Sequence, residues 1–237
     1  MEISVIGATG TLGRPVVRLA RERGHTVREL GRSSPTYPVD LATGAGLAEA
    51  LAGCDVVVDV SQGPRETLVD GTRNLLAATA EAGTPVVGVS IVGCREGGLR
   101  YYGIKAEQEE LLLACPRARV VAATQFHQLL DGLLGSAARY GFGLRSGAPF
   151  QPVLPDDVAA VLVDVADGTR AGRVTTVVGP RKVTLTDLSR HRARVTGHGR
   201  VPLPLPAPRP IRSGSLTSDA ADVIGTTTWE QWLRAGR

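Results

Sequence analysis

Aromatic side chains are scarce in this chain: 2 Trp, 4 Tyr and 3 Phe among 237 residues. Any apolar cleft must therefore be walled mainly by aliphatic groups. Cysteine is also rare. Cys54, Cys94 and Cys115 are odd in number and lack CxxC spacing, which excludes a disulfide framework or a cysteine zinc site and fits a reducing, cytoplasmic setting. His25, His191 and His198 have no metal-ligand company, so no metal is expected. No apolar run approaches the roughly 20 residues of a membrane helix. The start, MEISVIGATG, has neither a basic stretch nor a signal-like apolar region. Charge of one sign is lacking too. Lys+Arg total 27 against 23 Asp+Glu, and a surplus of +4 spread along the chain does not make a nucleic-acid surface.

What is present is globular: 43% hydrophobic and 21% charged residues, in a length suited to one large α/β domain or a domain with an appended lobe. Short apolar runs alternate with helical patterns through the first half. Strands are expected at Ile3–Ile6, Thr26–Leu30, Val39–Leu41, Asp55–Val60, Val86–Val92 and Ala118–Ala123. Helices are expected at Thr11–Arg23, Leu47–Leu51, Glu66–Ala82 and Tyr101–Ala114. That rhythm means βαβ units and a doubly wound parallel sheet of the Rossmann type, with valine runs buried on both faces. The expected organisation is a nucleotide-binding domain over 1–125 and a smaller C-terminal substrate-binding part over 126–237, packed on it as one compact unit.

Beyond Thr124 the pattern loosens. Helices are expected at Gln128–Tyr140, at Asp156–Asp167 with Asp156 or Asp157 as N-cap, at Leu185–Val195 behind Thr184 or Thr186, and at Trp229–Leu233. Thr227 and Glu230 have capping-box spacing. Val174–Val178 reads as a strand. The proline-rich VPLPLPAPRPI reads as a strand and loop on the surface, with polyproline docking as the alternative.

The strongest local signal is Gly7-Ala8-Thr9-Gly10-Thr11-Leu12-Gly13, between the first strand and the first helix. Glycines there let the backbone approach a pyrophosphate, whose charge is met by amide N–H groups and the helix dipole. Cofactor type is read near the end of the second strand. Gly31-Arg32-Ser33-Ser34 holds no acid for a ribose 2′-hydroxyl, whereas Arg32 and Ser33 suit a 2′-phosphate. NADP(H) is favoured over NAD(H), with Glu29 the competing acid.

Tyr101 and Lys105 stand at i and i+4 and can share a helical face. An ammonium beside a phenol lowers its pKa and makes it a better proton donor or acceptor.

Taken together, VIGATGTLG, VDGTRNLLAATAEAG, VSIVG, YYGIKAEQEELL and ATQFHQLL, in that order, with DDVA and WEQWL later, resemble the NmrA-like branch of the atypical short-chain dehydrogenase/reductase superfamily. The resemblance spans essentially the whole chain. It implies a nicotinamide cofactor at the carboxyl ends of the strands, and a substrate cleft under the C-terminal part. By the resemblance, Tyr101 is the acid/base, Lys105 its partner and the ribose contact, and Ser90 the substrate-orienting hydroxyl. Asp40 and Leu41 would sit by the adenine. Ser61, Gln62 and Gly63 would line the cofactor, and Gln125, Phe126 and His127 would approach nicotinamide and substrate. Ser90 lies only 11 positions before Tyr101, and Val60-Ser61-Gln62-Gly63-Pro64 departs from the family's usual small or polar residue after the fourth strand. Members of the branch include binders without turnover and redox sensors.

Other polar residues have simpler readings. His127 is either a substrate contact or a packed imidazole. Tyr102 and Cys94 lie near the proposed site in sequence, Cys94 without an assigned base. Asp55 and Asp59 flank a buried strand and are expected to meet loops or solvent. The expected function is an NADP(H)-dependent oxidoreductase, monomer or homodimer, acting on a small carbonyl, enone or quinone, including secondary metabolites. The alternatives are a cofactor-sensing regulator, or an isomerase or cyclase using the same Tyr–Lys pair.

Overall fold

The computed structural model describes residues 1–236. In the first half lie β1 (Glu2–Ile6), α1 (Gly13–Glu22), β2 (Thr26–Gly31), β3 (Tyr37–Pro38), α2 (Leu47–Leu51), β4 (Val56–Asp59), α3 (Gly71–Ala78), β5 (Val86–Ile91), α4 (Arg100–Ala114) and β6 (Ala118–Ala123). A π-helical turn, Glu66–Asp70, leads into α3. The second half adds α5 (His127–Ala138), β7 (Phe142–Arg145), β8 (Pro149–Phe150), α6 (Pro155–Ala166), β9 (Val174–Val178), β10 (Val183–Thr184), α7 (Leu185–Thr196), β11 (Val201–Pro204), α8 (Arg209–Arg212), β12 (Val223–Ile224) and α9 (Trp229–Arg234).

Eight strands form a sheet in the order β12-β9-β6-β5-β4-β1-β2-β3. The run β3-β2-β1-β4-β5-β6 is the Rossmann strand order, in which the chain reverses its direction of travel between β1 and β4. Parallel pairing joins Ile3 to Val27 on one side and to Val56 on the other. Strands buried on both faces need no polar alternation, and Val56, Val57 and Val58 are almost wholly enclosed.

Contacts divide the chain into two compact units. One comprises residues 1–90, 104–122 and 155–175, and the other 91–103, 123–154 and 176 onward. This division is interleaved along the sequence. Its physical reason is α6, which lies in the second half of the sequence yet packs on α1. Arg18 pairs with Asp156 at 2.5 Å and Arg23 with Asp164 at 2.7 Å. Apolar burial carries more of that packing than the exposed ion pairs do. Val16 and Val17 of α1 and Val158, Leu162 and Val163 of α6 are buried, each stabilising by roughly 1.5–3 kcal/mol.

The second unit has its own core of Leu130, Leu134, Leu144, Leu185, Leu188, Trp229, Trp232 and Leu233. The proline-rich segment supplies β11, which pairs in parallel with β7, Val201 opposite Phe142. All four β11 residues are exposed, as suits a proline-bearing edge.

Several local expectations are corrected. The third strand is Tyr37–Pro38 rather than Val39–Leu41, because the Asp40 carboxylate turns back to accept the Ala42 N–H at 2.9 Å. The regular part of the Glu66–Ala82 helix ends at Ala78, and Thr79 donates back to the Leu75 carbonyl. Pro155 opens α6, so Asp156 and Asp157 sit in its first turn rather than capping it, where they still complement the helix dipole. The capping box of α9 is Thr228 with Gln231, one position on from the expected pair.

The turn between β1 and α1 depends on missing side chains. Gly7 has φ +80°, and a Cβ at Gly13 would lie 2.1 Å from the Gly7 carbonyl oxygen. Gly13→Ala is expected to lower the free energy of unfolding by about 1–3 kcal/mol through this overlap. Urea denaturation measures it; an unchanged midpoint would contradict the packing described.

Candidate active site

At the turn, the Gly10 N–H donates to the Gly7 carbonyl at 3.0 Å and the Arg14 N–H to the Gly10 carbonyl at 3.1 Å. Thr9, Gly10 and Thr11 are exposed, while Leu12 and Gly13 are buried beneath them. A Cβ on Gly7 would lie 3.0 Å from the Val60 carbonyl and 3.1 Å from the Ser61 nitrogen. The turn thus sits directly against the end of β4. An exposed turn at a helix start, backed by a glycine cradle, fits a dinucleotide pyrophosphate.

At the end of β2, Arg32 and Ser33 are exposed. Glu29 is engaged by Arg21 of α1, at 2.7 Å. Asp40 is half-buried in its own turn, and Leu41 is 5% exposed within the apolar core that includes Leu47 and Leu75.

Of the two surroundings expected for Asp59, it meets the loop and not solvent: it ends β4 at 2% exposure, opposite Ile6 in β1 and Gly88 in β5. The strand is enclosed on both faces, so its last residue is buried whichever way it points. Its Oδ1 accepts the Ser61 N–H at 2.9 Å, and its Oδ2 has no hydrogen-bond partner. Burial pushes the carboxyl above its usual range, opposed by Ser61 and by the charge of Lys105. After it, Ser61 is buried, Gln62 exposed and Gly63 half-buried.

Lys105 is 1% exposed. Its ammonium donates to the Val89 carbonyl at 2.8 Å and to Gln108 Oε1 at 2.6 Å. The chain of bonds continues from Gln108 Nε2 to Thr72 Oγ1 at 3.2 Å and from Thr72 to the Leu68 carbonyl at 2.6 Å. α4, the π-turn and α3 are thereby linked through buried polar groups. Ser90 is also buried, and its hydroxyl donates to Glu109 at 2.5 Å.

In the second unit, Tyr101 lies in the first turn of α4 and is 39% exposed. Tyr102 is half-buried against Ala148, Ile211 and Leu216. Burial and the neighbouring Tyr101 phenol push the Tyr102 pKa above 10. Cys94 is buried in a 3-10 turn. Gln125 is also buried: its Nε2 donates to the Leu216 carbonyl at 2.8 Å, and its Oε1 accepts the Gln151 N–H at 3.1 Å. Phe126 is the N-cap residue of α5 and bridges to Val153.

His127, read either as a substrate contact or as a packed imidazole, is wholly buried. Its ring stacks on Trp229 at 6.0 Å and tilts against Trp232 at 5.4 Å, and neither ring nitrogen makes a hydrogen bond. Gln108, Thr72 and Gln151 escaped the sequence reading, and the burial of Asp59 was not foreseen. For Asp59 a signal existed, an acid inside a valine strand; the amides gave none.

Among the described residues, no group of three or more His, Cys, Asp or Glu could hold a metal ion, and no helix is long and apolar enough to cross a membrane.

No protein-family profile matches the chain. A 4-hydroxy-tetrahydrodipicolinate reductase of Natronomonas pharaonis is 28% identical over 177 residues, which is 72% of this chain and 66% of that protein. The chain spans less than two thirds of the length of such curated relatives. An NADPH-dependent quinone oxidoreductase from Escherichia coli, solved with NADPH, superposes with TM-score 0.82 at 17% identity, covering 98% of this chain and 99% of that one. A short-chain dehydrogenase/reductase superfamily protein from Agrobacterium tumefaciens, solved with NAD, gives 0.75 at 19% identity, covering 99% and 95%. The fold is therefore of the Rossmann type, shared with these solved structures.

The buried His127 generates a pH dependence. Burial lowers its pKa from 6.5, so it stays neutral in the folded chain while the unfolded chain takes up a proton as pH falls through 6.5. Stability is full above that pH and is lost below it, by up to about 1.4 kcal/mol per pH unit. His127→Phe, which keeps a ring between the tryptophans, should show a smaller fall in melting temperature between pH 7 and pH 5 than the wild type. Equal falls would contradict the buried neutral imidazole.

Proposed function

We propose that the chain is an NADP(H)-dependent oxidoreductase of the atypical short-chain type, acting on a small carbonyl, enone or quinone. The observation that carries this reading is the exposed Thr9–Thr11 turn over the glycine cradle, set against the end of β4 at the sheet's switch point. Relatives named as reductases and a neighbour solved with NADPH support it. When bound, the nicotinamide exchanges a hydride with the substrate carbon.

The remaining steps belong to this chain. Thr9 and Thr11, exposed in the turn, present their amides to the pyrophosphate, while the Gly10 N–H closes the turn onto Gly7. Arg32, exposed at the end of β2, pairs with the 2′-phosphate, helped by Ser33. Glu29, the acid that would favour NAD(H), is already paired with Arg21. Tyr101 moves the proton at its phenol oxygen. Of the two adjacent tyrosines it is the more exposed, and Tyr102 is made a poorer acid by burial. Lys105 follows Tyr101 by one turn of α4, anchored by Val89 and Gln108.

The test is NADPH oxidation with a panel of ketones, enones and quinones. Wild type is expected to turn over at least one, and Tyr101→Phe to lose activity by about 10²-fold or more. Product formed with no net change in NADPH absorbance would replace this reading with an isomerase or cyclase. Binding without turnover throughout would replace it with a sensor. Arg32→Ala should raise KM for NADPH roughly tenfold or more and leave that for NADH nearly unchanged; equal effects would remove the 2′-phosphate assignment.

A further inference from the structure

The chemistry proposed above makes no use of the β7–β11 pair in the second unit, yet that pair gathers large apolar side chains at the surface. Tyr140 is 74% exposed and Val201 56%, and Phe142, Leu203 and Leu205 are exposed with them. They are neighbours. Phe142 stands opposite Val201, and the Val201 N–H donates to the Gly141 carbonyl at 3.0 Å, next to Tyr140. Leu203, two residues on, shares the strand face of Val201.

Charge around this patch has one sign. No Asp or Glu occurs between Asp131 and Asp156, the stretch that holds β7, nor between Asp187 and Asp219, the stretch that holds β11. Asp131 and Asp187 already hold Arg192 at 2.7 Å and Arg190 at 3.3 Å. Arg139 lies over the Tyr140 ring, 5.9 Å from its centroid, and Arg200 directly precedes Val201. Both arginines are exposed, and among the described residues neither is in an ion pair. An apolar patch beside unneutralised arginine is complementary to a surface that is anionic outside and apolar beneath.

Two protein partners fit this face poorly. Val201 and Leu205 turn their N–H groups to β7, Leu205 to the Arg145 carbonyl at 2.9 Å. The period of two then puts positions 202 and 204 on the outer edge, and both are proline. That edge has no N–H to donate to an added peptide strand. A second copy of the chain offers the same arginines and no acid, so docking the face on itself sets like charges together.

We propose that the β7–β11 face is a peripheral membrane-docking surface: Tyr140, Phe142, Val201 and Leu203 enter the headgroup boundary of a bilayer, while Arg139 and Arg200 pair with anionic lipid headgroups. Arginine suits that place, because its stem lies along apolar groups while the guanidinium meets phosphate or carboxylate. The chain lies on the membrane without crossing it.

Vesicle co-sedimentation of the full chain tests this, with phosphatidylcholine alone and with phosphatidylcholine containing phosphatidylserine. Wild type is expected to bind the anionic vesicles about tenfold or more tightly than the neutral ones, and less tightly as salt is raised. Arg139→Gln/Arg200→Gln should weaken binding to anionic vesicles roughly tenfold. Val201→Ser/Leu203→Ser should weaken it by roughly the same factor. All four side chains are exposed, so melting temperatures close to that of wild type are expected to accompany these losses. Should the serine variant melt early, the arginine variant alone decides. Wild type that sediments with neither vesicle or equally with both overturns the proposal, as does unchanged binding by the arginine variant. Binding of a duplex oligonucleotide without binding of vesicles replaces the membrane with nucleic acid. A light-scattering mass that doubles with concentration in wild type, but not in V201S/L203S, replaces it with a second copy.

Discussion

The meeting of β1 and β4 at the glycine turn is the constraint from which the rest of the first unit follows. The turn can approach Val60 and Ser61 only because Gly7 has no Cβ and a positive φ, and α1 can start where it does only because Gly13 has none. That contact leaves Thr9–Thr11 exposed and brings Asp59, at the end of β4, into the enclosed region beside the turn. A parallel sheet covered on both faces then gives these polar groups no solvent, so each must find compensation inside the protein. Ser61, Val89 and Gln108 supply part of it.

The second unit is organised by a different device, buried amides on main-chain groups. Gln125 and Gln151 hold the segment around Leu216 and Ser218, and Gln151 also donates to the Gly179 carbonyl at 2.9 Å. Thr124 adds a bond to the Gln151 carbonyl at 2.6 Å. Irregular chain can be enclosed when its carbonyl and amide groups are met in this way. The tryptophans of α9 complete that unit by stacking on His127, which explains why an imidazole can be buried there with no polar partner.

Legibility in the sequence followed locality. Valine runs disclosed the central strands because burial on both faces leaves a direct mark on composition, and the glycine turn was readable because its geometry demands glycine at fixed spacing. β7 was not separable in advance, whereas the proline-rich segment that holds β11 was read as a strand and loop; their pairing joins Phe142 to Val201. The role of His127 is set by tryptophans about a hundred residues later, which no local pattern reports. Asp59 was expected to meet loop or solvent; it meets the loop at Ser61, and its strand position leaves it no solvent. Arg32 was singled out by its spacing from the glycine turn and Tyr101 by its spacing to Lys105 and by the resemblance, and both residues are exposed.

The central claim is that the Gly7–Gly13 turn and the end of β2 together receive a phosphorylated dinucleotide. Isothermal calorimetry of the purified chain with NADPH, NADH and adenosine 2′,5′-bisphosphate tests it most directly. The account predicts saturable one-to-one binding of NADPH, weaker binding of NADH, and measurable binding of the bisphosphate fragment. Absence of saturable heat with every nucleotide would contradict it.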